Sequence, residues 1–385
     1  MPTPYLASHL QGFGATIFAE MSALAVATGS INLGQGFPDS DGPPELLDAA
    51  VEAIKAGHNQ YPPGLGIPEL RQAIARHQRR WYASELNSDT EILVTAGATE
   101  AIAAAMLALL NPGDEVVVFE PLYDSYAATI AMAQGQRKVV TLRAPDYAFD
   151  AEELRAAITN RTKLILLNTP HNPTGKVFSR AELELIAQVA REHDLLVVTD
   201  EVYEHLVFSG VHIPIASLPG MRDRTLVISS AGKTFSCTGW KIGWVCGPAE
   251  LVAAVRTTKQ FLTYVNGGPF QYAVARGLDL GGSYFTTFIE GMRQRRDLLC
   301  DGLEKIGFDV HRPAGTYFAT VDVRSVGYSD GETFCRELPH KAGVVAIPSA
   351  VFYDTDAGTS LVRFAFCKQL AVLEEALRRL GGFIS

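Results

Sequence analysis

The sequence contains no uninterrupted apolar stretch approaching the roughly 20 residues that a helical membrane span requires. Cysteine is sparse and scattered. Cys237, Cys246, Cys300, Cys335 and Cys367 are odd in number and include no C-x-x-C pair, so neither a disulfide framework nor a cysteine zinc site is expected. Reduced thiols in a cytoplasmic, soluble protein are the expectation instead. Long basic runs are also missing. The Arg79-Arg80 pair and the stretch Arg293-Gln294-Arg295-Arg296 read as solvated helix faces, and the net charge is −9. That balance weighs against nucleic acid or an anionic membrane as partner. Met1-Pro2-Thr3-Pro4-Tyr5 lacks the basic segment and apolar run of a signal peptide. There is no low-complexity tract, no internal repeat, and no G-x-G-x-x-G after a strand to mark a dinucleotide site. Ser230-Ala231-Gly232-Lys233 matches S-x-x-K, but the S-D-N and K-T-G partners of a β-lactamase are absent.

What is present is length and alternation. A chain of 385 residues exceeds what one simple core fills. Amphipathic helices are predicted over residues 49–56, 69–81, 99–110, 125–134 and 181–193. Apolar strands are predicted over 92–95, 115–119, 139–142, 164–167, 195–199, 225–229 and 244–246. Near-continuous apolar strands separated by helices imply an α/β fold, with a mostly parallel sheet covered on both faces. After Gly281-Gly282 the pattern changes to one long helix, 283–306, and shorter strands at 317–323 and 362–366. Two domains are therefore expected. Residues 45–282 form the larger; 1–44 and 283–385 form a smaller α/β domain.

Ligands of such sheets collect beyond the carboxyl ends of the strands. Four segments lie there. Thr95-Ala96-Gly97-Ala98-Thr99-Glu100 runs through small residues into a helix, so its backbone N–H groups suit a phosphate; alone it also reads as an ordinary capped turn. Asn168-Thr169-Pro170-His171-Asn172-Pro173-Thr174-Gly175 is a stiff loop presenting two asparagines, in which His171 is no evidence of a metal. Asp200-Glu201-Val202-Tyr203 places a carboxylate at a strand tip, where it serves either as a helix cap or as the partner of a buried cation. Ser229 to Trp244 places Lys233 among hydroxyls and glycines, a setting for a desolvated amine that acts as nucleophile or base.

In order and spacing these segments resemble the pyridoxal-phosphate enzymes of fold type I, specifically the class I/II aminotransferases. Ser230 to Trp244 and Asn32-Leu33-Gly34-Gln35-Gly36-Phe37-Pro38-Asp39 are similar to the methionine and kynurenine aminotransferase group, which includes cysteine-conjugate β-lyases. The resemblance implies that Lys233 carries pyridoxal 5′-phosphate as a Schiff base and that Asp200 pairs with its pyridinium nitrogen. Tyr203 and Asn172 would bond the ring hydroxylate, supported by Asn168, and Tyr123 would stack on the ring. Ser230, Lys241 and the Gly97-Ala98-Thr99 turn would hold the phosphate. Tyr61 would reach the phosphate of a neighbouring subunit, which implies a homodimer. Arg363 would grip the α-carboxylate of the substrate, with Gly36 and Phe18 lining its pocket. No metal is implied. Related enzymes for dicarboxylates carry a cation in the stretch that here, between Lys259 and Arg276, holds Phe261, Tyr264 and Phe270 and no Arg or Lys. The expected donor is therefore a neutral or aromatic amino acid such as methionine, glutamine or kynurenine, with a 2-keto acid as acceptor in a ping-pong reaction. Elimination from a cysteine conjugate is the alternative.

Overall fold

In the computed structural model the described residues are 5–14 and 16–384; Met1 to Pro4, most of the segment without signal-peptide character, lie outside them. The elements run α1 (Ile17–Thr28), β1 (Ile31–Asn32), α2 (Pro44–Lys55), α3 (Pro68–Tyr82), β2 (Ile92–Ala96), α4 (Gly97–Leu109), β3 (Glu115–Glu120), α5 (Asp124–Met132), β4 (Gln136–Thr141), α6 (Ala151–Ala156), β5 (Thr162–Asn168), α7 (Arg180–Glu192), β6 (Leu196–Asp200), β7 (Thr225–Ser230), α8 (Ala231–Thr234) and β8 (Ile242–Cys246). They continue with α9 (Ala249–Lys259), α10 (Gly268–Leu278), α11 (Gly282–Ile306), β9 (Asp309–His311), β10 (Phe318–Asp322), α12 (Gly331–Lys341), β11 (Val344–Val345), β12 (Ile347–Pro348), β13 (Leu361–Ala365) and α13 (Leu370–Ile384).

Seven strands form the large sheet in the order β2-β8-β7-β6-β5-β3-β4. All neighbours are parallel except β8, which runs antiparallel to both β2 and β7. The mostly parallel expectation therefore holds with one exception. The antiparallel insertion matters for the site, because it turns the chain back beside β2 and brings Gly243 opposite Thr95. Successive side chains of a strand point to opposite faces. Val116, Val118, Leu164 and Leu166 accordingly pack into one core with α4, while Val117, Phe119, Ile165 and Leu167 pack into another with α7. Both faces are covered, which is why these strands are apolar at nearly every position.

Beyond α11 the second sheet has the order β12-β13-β10-β9, antiparallel throughout. Its core includes Met21, Ala25 and Leu33 from the N-terminal segment, because β1 pairs in parallel with β11. Gly281 ends the short turn between α10 and α11 as the N-terminal cap of the long helix, and Gly282 is that helix's first residue. Val202, Tyr203, Leu206 and Phe208, from the loop after β6, join this same core. The tip of the large sheet is thereby packed directly against the C-terminal sheet, and a cavity lies at that junction.

Candidate active site

The cavity measures about 440 Å³ and opens at the carboxyl ends of β2, β5, β6 and β7. Every residue that the sequence assigns to cofactor or substrate, except Tyr61, lines it. Tyr61 is 81% exposed and meets Tyr264 edge-on at 5.6 Å on the outer surface.

Asp200 ends β6, whose other residues are apolar or hydroxyl, and its carboxylate lies buried at the sheet tip where it lines the cavity. One oxygen, Oδ2, accepts from Tyr126 Oη at 2.8 Å; Oδ1 accepts from the Val202 amide at 3.2 Å. Burial pushes its pKa up to about 6, against the opposing pull of these two donors. Asn168 donates to the Asp200 carbonyl at 2.9 Å, and its side-chain oxygen accepts from the Asn172 amide at 2.7 Å. The asparagine loop is thus stitched to the strand beside it.

Lys233 lies in the single turn α8 that follows β7. Its Nζ donates to Tyr317 Oη at 2.8 Å and to the Gly36 carbonyl at 3.3 Å. Burial lowers its pKa from the ordinary lysine value to about 8. The amine is therefore available uncharged near neutral pH, the condition for a nucleophile or base.

At the sheet's other side the N-terminus of α4 faces Lys241. Nζ of Lys241 donates to Thr99 Oγ1 at 3.4 Å. The cap position is Ala96, which makes no side-chain bond, and Thr99 is a residue of the first turn. Two glycines make this corner possible. Gly97 takes φ +72°, and a Cβ on Gly243 would come within 2.5 Å of the Gly97 carbonyl carbon. Backbone amides at a helix start, a lysine and the buried Ser230 together form an anion cradle.

Arg363, in the middle of β13, is 1% exposed. Nη1 donates to Asn172 Oδ1 at 3.0 Å and Nη2 to the Gly34 carbonyl at 2.8 Å, while Nε has no partner. Its guanidinium lies 4.0 Å over the Phe318 ring and 5.1 Å from that of Phe18. Burial lowers its pKa to about 10, so it stays charged at neutral pH. A buried guanidinium with an unanswered N–H and no carboxylate is a ready receiver for an anionic ligand.

Four further residues belong to the site without having been singled out: Tyr126, Tyr317, Phe318 and Asp124. Tyr126 carried a signal, since it stands one helical turn from Tyr123 in the same element. Tyr317 and Phe318 carried none, because only the pairing of β10 with β13 brings them to the cavity.

The donor set fits pyridoxal phosphate. An anion cradle, a low-pKa lysine amine, a buried carboxylate and a flat tyrosine wall at Tyr123 stand around one cavity, matching its phosphate, aldehyde, ring nitrogen and ring face. Fold and site together define a pyridoxal-phosphate enzyme of fold type I. The family model for class I and II aminotransferases matches residues 28–380. The chain is 53% identical to a probable N-succinyldiaminopimelate aminotransferase, DapC, of Mycobacterium tuberculosis, with 97% of each chain covered. It is 40% identical to the methionine aminotransferase of Escherichia coli, again over 97% of each. The solved N-succinyldiaminopimelate aminotransferase of M. tuberculosis superposes with a TM-score of 0.96, covering 98% of this chain and all of that one. The protein belongs to the class I and II aminotransferases, which depend on pyridoxal phosphate.

Proposed function

We propose that this aminotransferase acts, in two half-reactions, on amino acids whose side chain is uncharged near the reacting carbon, and that N-succinyldiaminopimelate is its leading substrate. One observation carries the first part. Among the described residues lining the cavity the only Lys or Arg side chains are Lys233, Lys241 and Arg363. With Lys241 at the cradle and Lys233 supplying the amine, Arg363 alone remains for a carboxylate, and none is left for the second carboxylate of aspartate. The identity of 53% to a protein named for N-succinyldiaminopimelate supports the second part. In that compound three methylene groups separate the reacting carbon from the next charged region, so it suits the same lining. Methionine and kynurenine, expected from sequence, are likewise uncharged near the reacting carbon.

When bound, pyridoxal phosphate supplies an aldehyde and an electron-withdrawing ring. The chain's own residues do the rest. Arg363 binds the substrate α-carboxylate and so fixes the direction of the Cα–H bond, with Asn172 and Gly34 holding the guanidinium in place. Lys233 Nζ takes the proton from Cα and holds it for return nearby, a general base and then a general acid. Asp200, whose charge Tyr126 favours by donating to it, would balance a positive charge on the ring nitrogen. Tyr123 would cover the ring face, Tyr203 and Asn172 would meet its hydroxyl, and Gly97, Ala98, Thr99, Ser230 and Lys241 would hold the phosphate. Gly36 and Phe18 shape the substrate side.

The exposed aromatics Tyr61, Phe261 and Tyr264, at 81%, 83% and 55% exposure, support a homodimer in which Tyr61 reaches the partner's phosphate site. The five free, buried cysteines support a cytoplasmic location, and no helix among the described residues is long and apolar enough to cross a membrane. We read the division into residues 45–282 and 1–44 with 283–385 as two domains meeting at the cavity.

The test is a comparison of kcat/KM for N-succinyl-LL-diaminopimelate, methionine, kynurenine and aspartate as amino donors. N-succinyldiaminopimelate is expected to lead and aspartate to be the poorest; preference for aspartate over methionine overturns the reading. Pyruvate and ammonia released from a cysteine conjugate faster than transamination would assign the elimination chemistry instead.

A further inference from the structure

Behind the catalytic loop, three side chains that the reaction does not use converge in the interior. His77 comes from α3; Glu204 and His205 follow Tyr203 in the loop after β6. Their nearest ligand atoms all lie within 4.8 Å of one another, and His77 Nε2 stands 2.7 Å from His205 Nε2. His77 is 2% exposed and Glu204 5%. Glu204 Oε1 accepts from Ser229, but Oε2 has no partner in hydrogen-bond geometry, and neither has Nδ1 of His77. The Tyr82 hydroxyl also lies beside the carboxylate and favours its charged form. The contact between the two imidazoles satisfies only one pair of nitrogens and leaves the carboxylate oxygen unanswered. An unpartnered carboxylate oxygen in a buried position is costly, and a cation is the group that removes that cost.

We propose that His77, Glu204 and His205 form a buried site for a divalent transition metal of the zinc class. Two imidazole nitrogens and one carboxylate oxygen are a borderline ligand set, suited to zinc rather than to calcium or magnesium, with a fourth position for water. Zinc–nitrogen bonds of about 2.0–2.1 Å in a tetrahedral site place two nitrogens about 3.3 Å apart, so the rings separate by about half an ångström on binding. His205 is the least buried of the three and gives the ion its way in. Trp81 and Phe285, at 5.0 and 4.6 Å from the His205 ring, form an apolar shell around it. Because Glu204 and His205 sit near the start of the loop that follows Asp200, a metal here braces that loop against α3. The role is structural, and it is independent of the substrate. It goes beyond the family resemblance, which implies no metal, and beyond the cysteine spacing, which bears only on a cysteine site.

The holoenzyme is stripped with chelator, incubated with excess Zn2+, passed through a desalting column and analysed for bound zinc, with thermal unfolding followed in parallel. The expected result is about one zinc retained per subunit, a midpoint raised by a few degrees, and loss of the retained zinc in both His77→Gln and His205→Gln. Wild-type protein that retains no zinc, or variants that retain it fully, overturn the proposal. Where the variants fail to fold, wild-type protein loaded with Co2+ decides: intense ligand-field bands of a tetrahedral ion uphold the site, and their absence leaves the pair as a hydrogen bond and overturns it.

Discussion

Lys233 and Tyr317 are joined by a hydrogen bond of 2.8 Å in which the amine donates to the phenol oxygen, and Tyr317 in turn donates to the Gly36 carbonyl. A residue at the edge of the C-terminal sheet therefore holds the nucleophile of the large sheet. An accepted bond favours the ammonium form, whereas burial disfavours it and prevails, leaving the pKa at about 8. The uncharged amine accumulates as pH rises through that value. The rate at which apoenzyme captures pyridoxal phosphate, followed by its visible absorption, is expected to rise with pH about a midpoint of 8. Tyr317→Phe removes the acceptor and moves the midpoint lower. A wild-type midpoint near that of free lysine would refute the burial argument.

Lys233→Ala removes both anchor and base. Proton transfer by a positioned group contributes up to about 10^4-fold, and turnover is expected to fall by at least that factor with the fold intact by circular dichroism. Sustained transamination at the wild-type rate in this variant would sink the assignment of Lys233.

Asp200 and Tyr126 make a graded pair of tests. Asp200→Asn removes the charge opposite the ring nitrogen and is expected to lower kcat by about 10^2–10^3-fold, the scale of a lost electrostatic partner. In the cofactor-free protein Asp200 becomes neutral as pH falls through about 6, so the affinity for pyridoxal phosphate declines on that acid side. Tyr126 donates to the carboxylate and lowers its pKa. Tyr126→Phe therefore shifts the acid decline to higher pH. Fluorescence titration of the apoenzyme between pH 5 and 7 measures both; an unshifted profile in the tyrosine variant would show that the bond does not hold the charge.

Much of this site is legible in the amino-acid sequence, for a physical reason. Parallel strands buried on both faces are apolar at nearly every position, so Thr162–Asn168 and Leu196–Asp200 stand out, and their ligand residues follow directly in sequence. Segments whose partners are distant do not announce themselves. The helix Ile17–Thr28 is apolar on most sides and has no clear stripe to mark it. Helix Gly331–Lys341 carries Pro339 near its end, a breaker signal that tertiary packing overrides. Strand Ile242–Cys246 looks like its parallel neighbours, because burial rather than direction sets its composition. Tyr317 and Phe318 reach the cavity only through cross-strand pairs such as Thr320 with Arg363, which no local pattern encodes.

Gly243→Ala tests the cradle by sterics alone. The added methyl would come within 2.5 Å of backbone at Gly97, where nothing flexible can yield. Strand β8 or the start of α4 must shift, and the amides at Ala98 and Thr99 shift with it. Weaker cofactor binding by about tenfold or more is expected, with a destabilisation of about 1–3 kcal/mol typical of overpacking. Equilibrium dialysis of pyridoxal phosphate reads the first and thermal unfolding the second. Unchanged affinity would mean that the cradle is not formed by this corner.

Arg363→Lys distinguishes charge from shape. A lysine keeps one positive charge but gives up the planar fork that offers two parallel bonds to a carboxylate. It also loses the bond to Asn172 Oδ1 and the stacking over Phe318 at 4.0 Å. A hydrogen bond to a charged group is worth about 1.5–3 kcal/mol, so losing one of two lowers kcat/KM by about ten- to a hundredfold. Because orientation of Cα–H depends on the fork, the loss is expected in kcat as well as in KM, whereas a simple weakening of binding would appear in KM alone. Steady-state kinetics with N-succinyldiaminopimelate and with methionine should give the same fractional loss, since both present the same α-carboxylate. A loss confined to one of them would place Arg363 at the side chain of the substrate and not at its carboxylate.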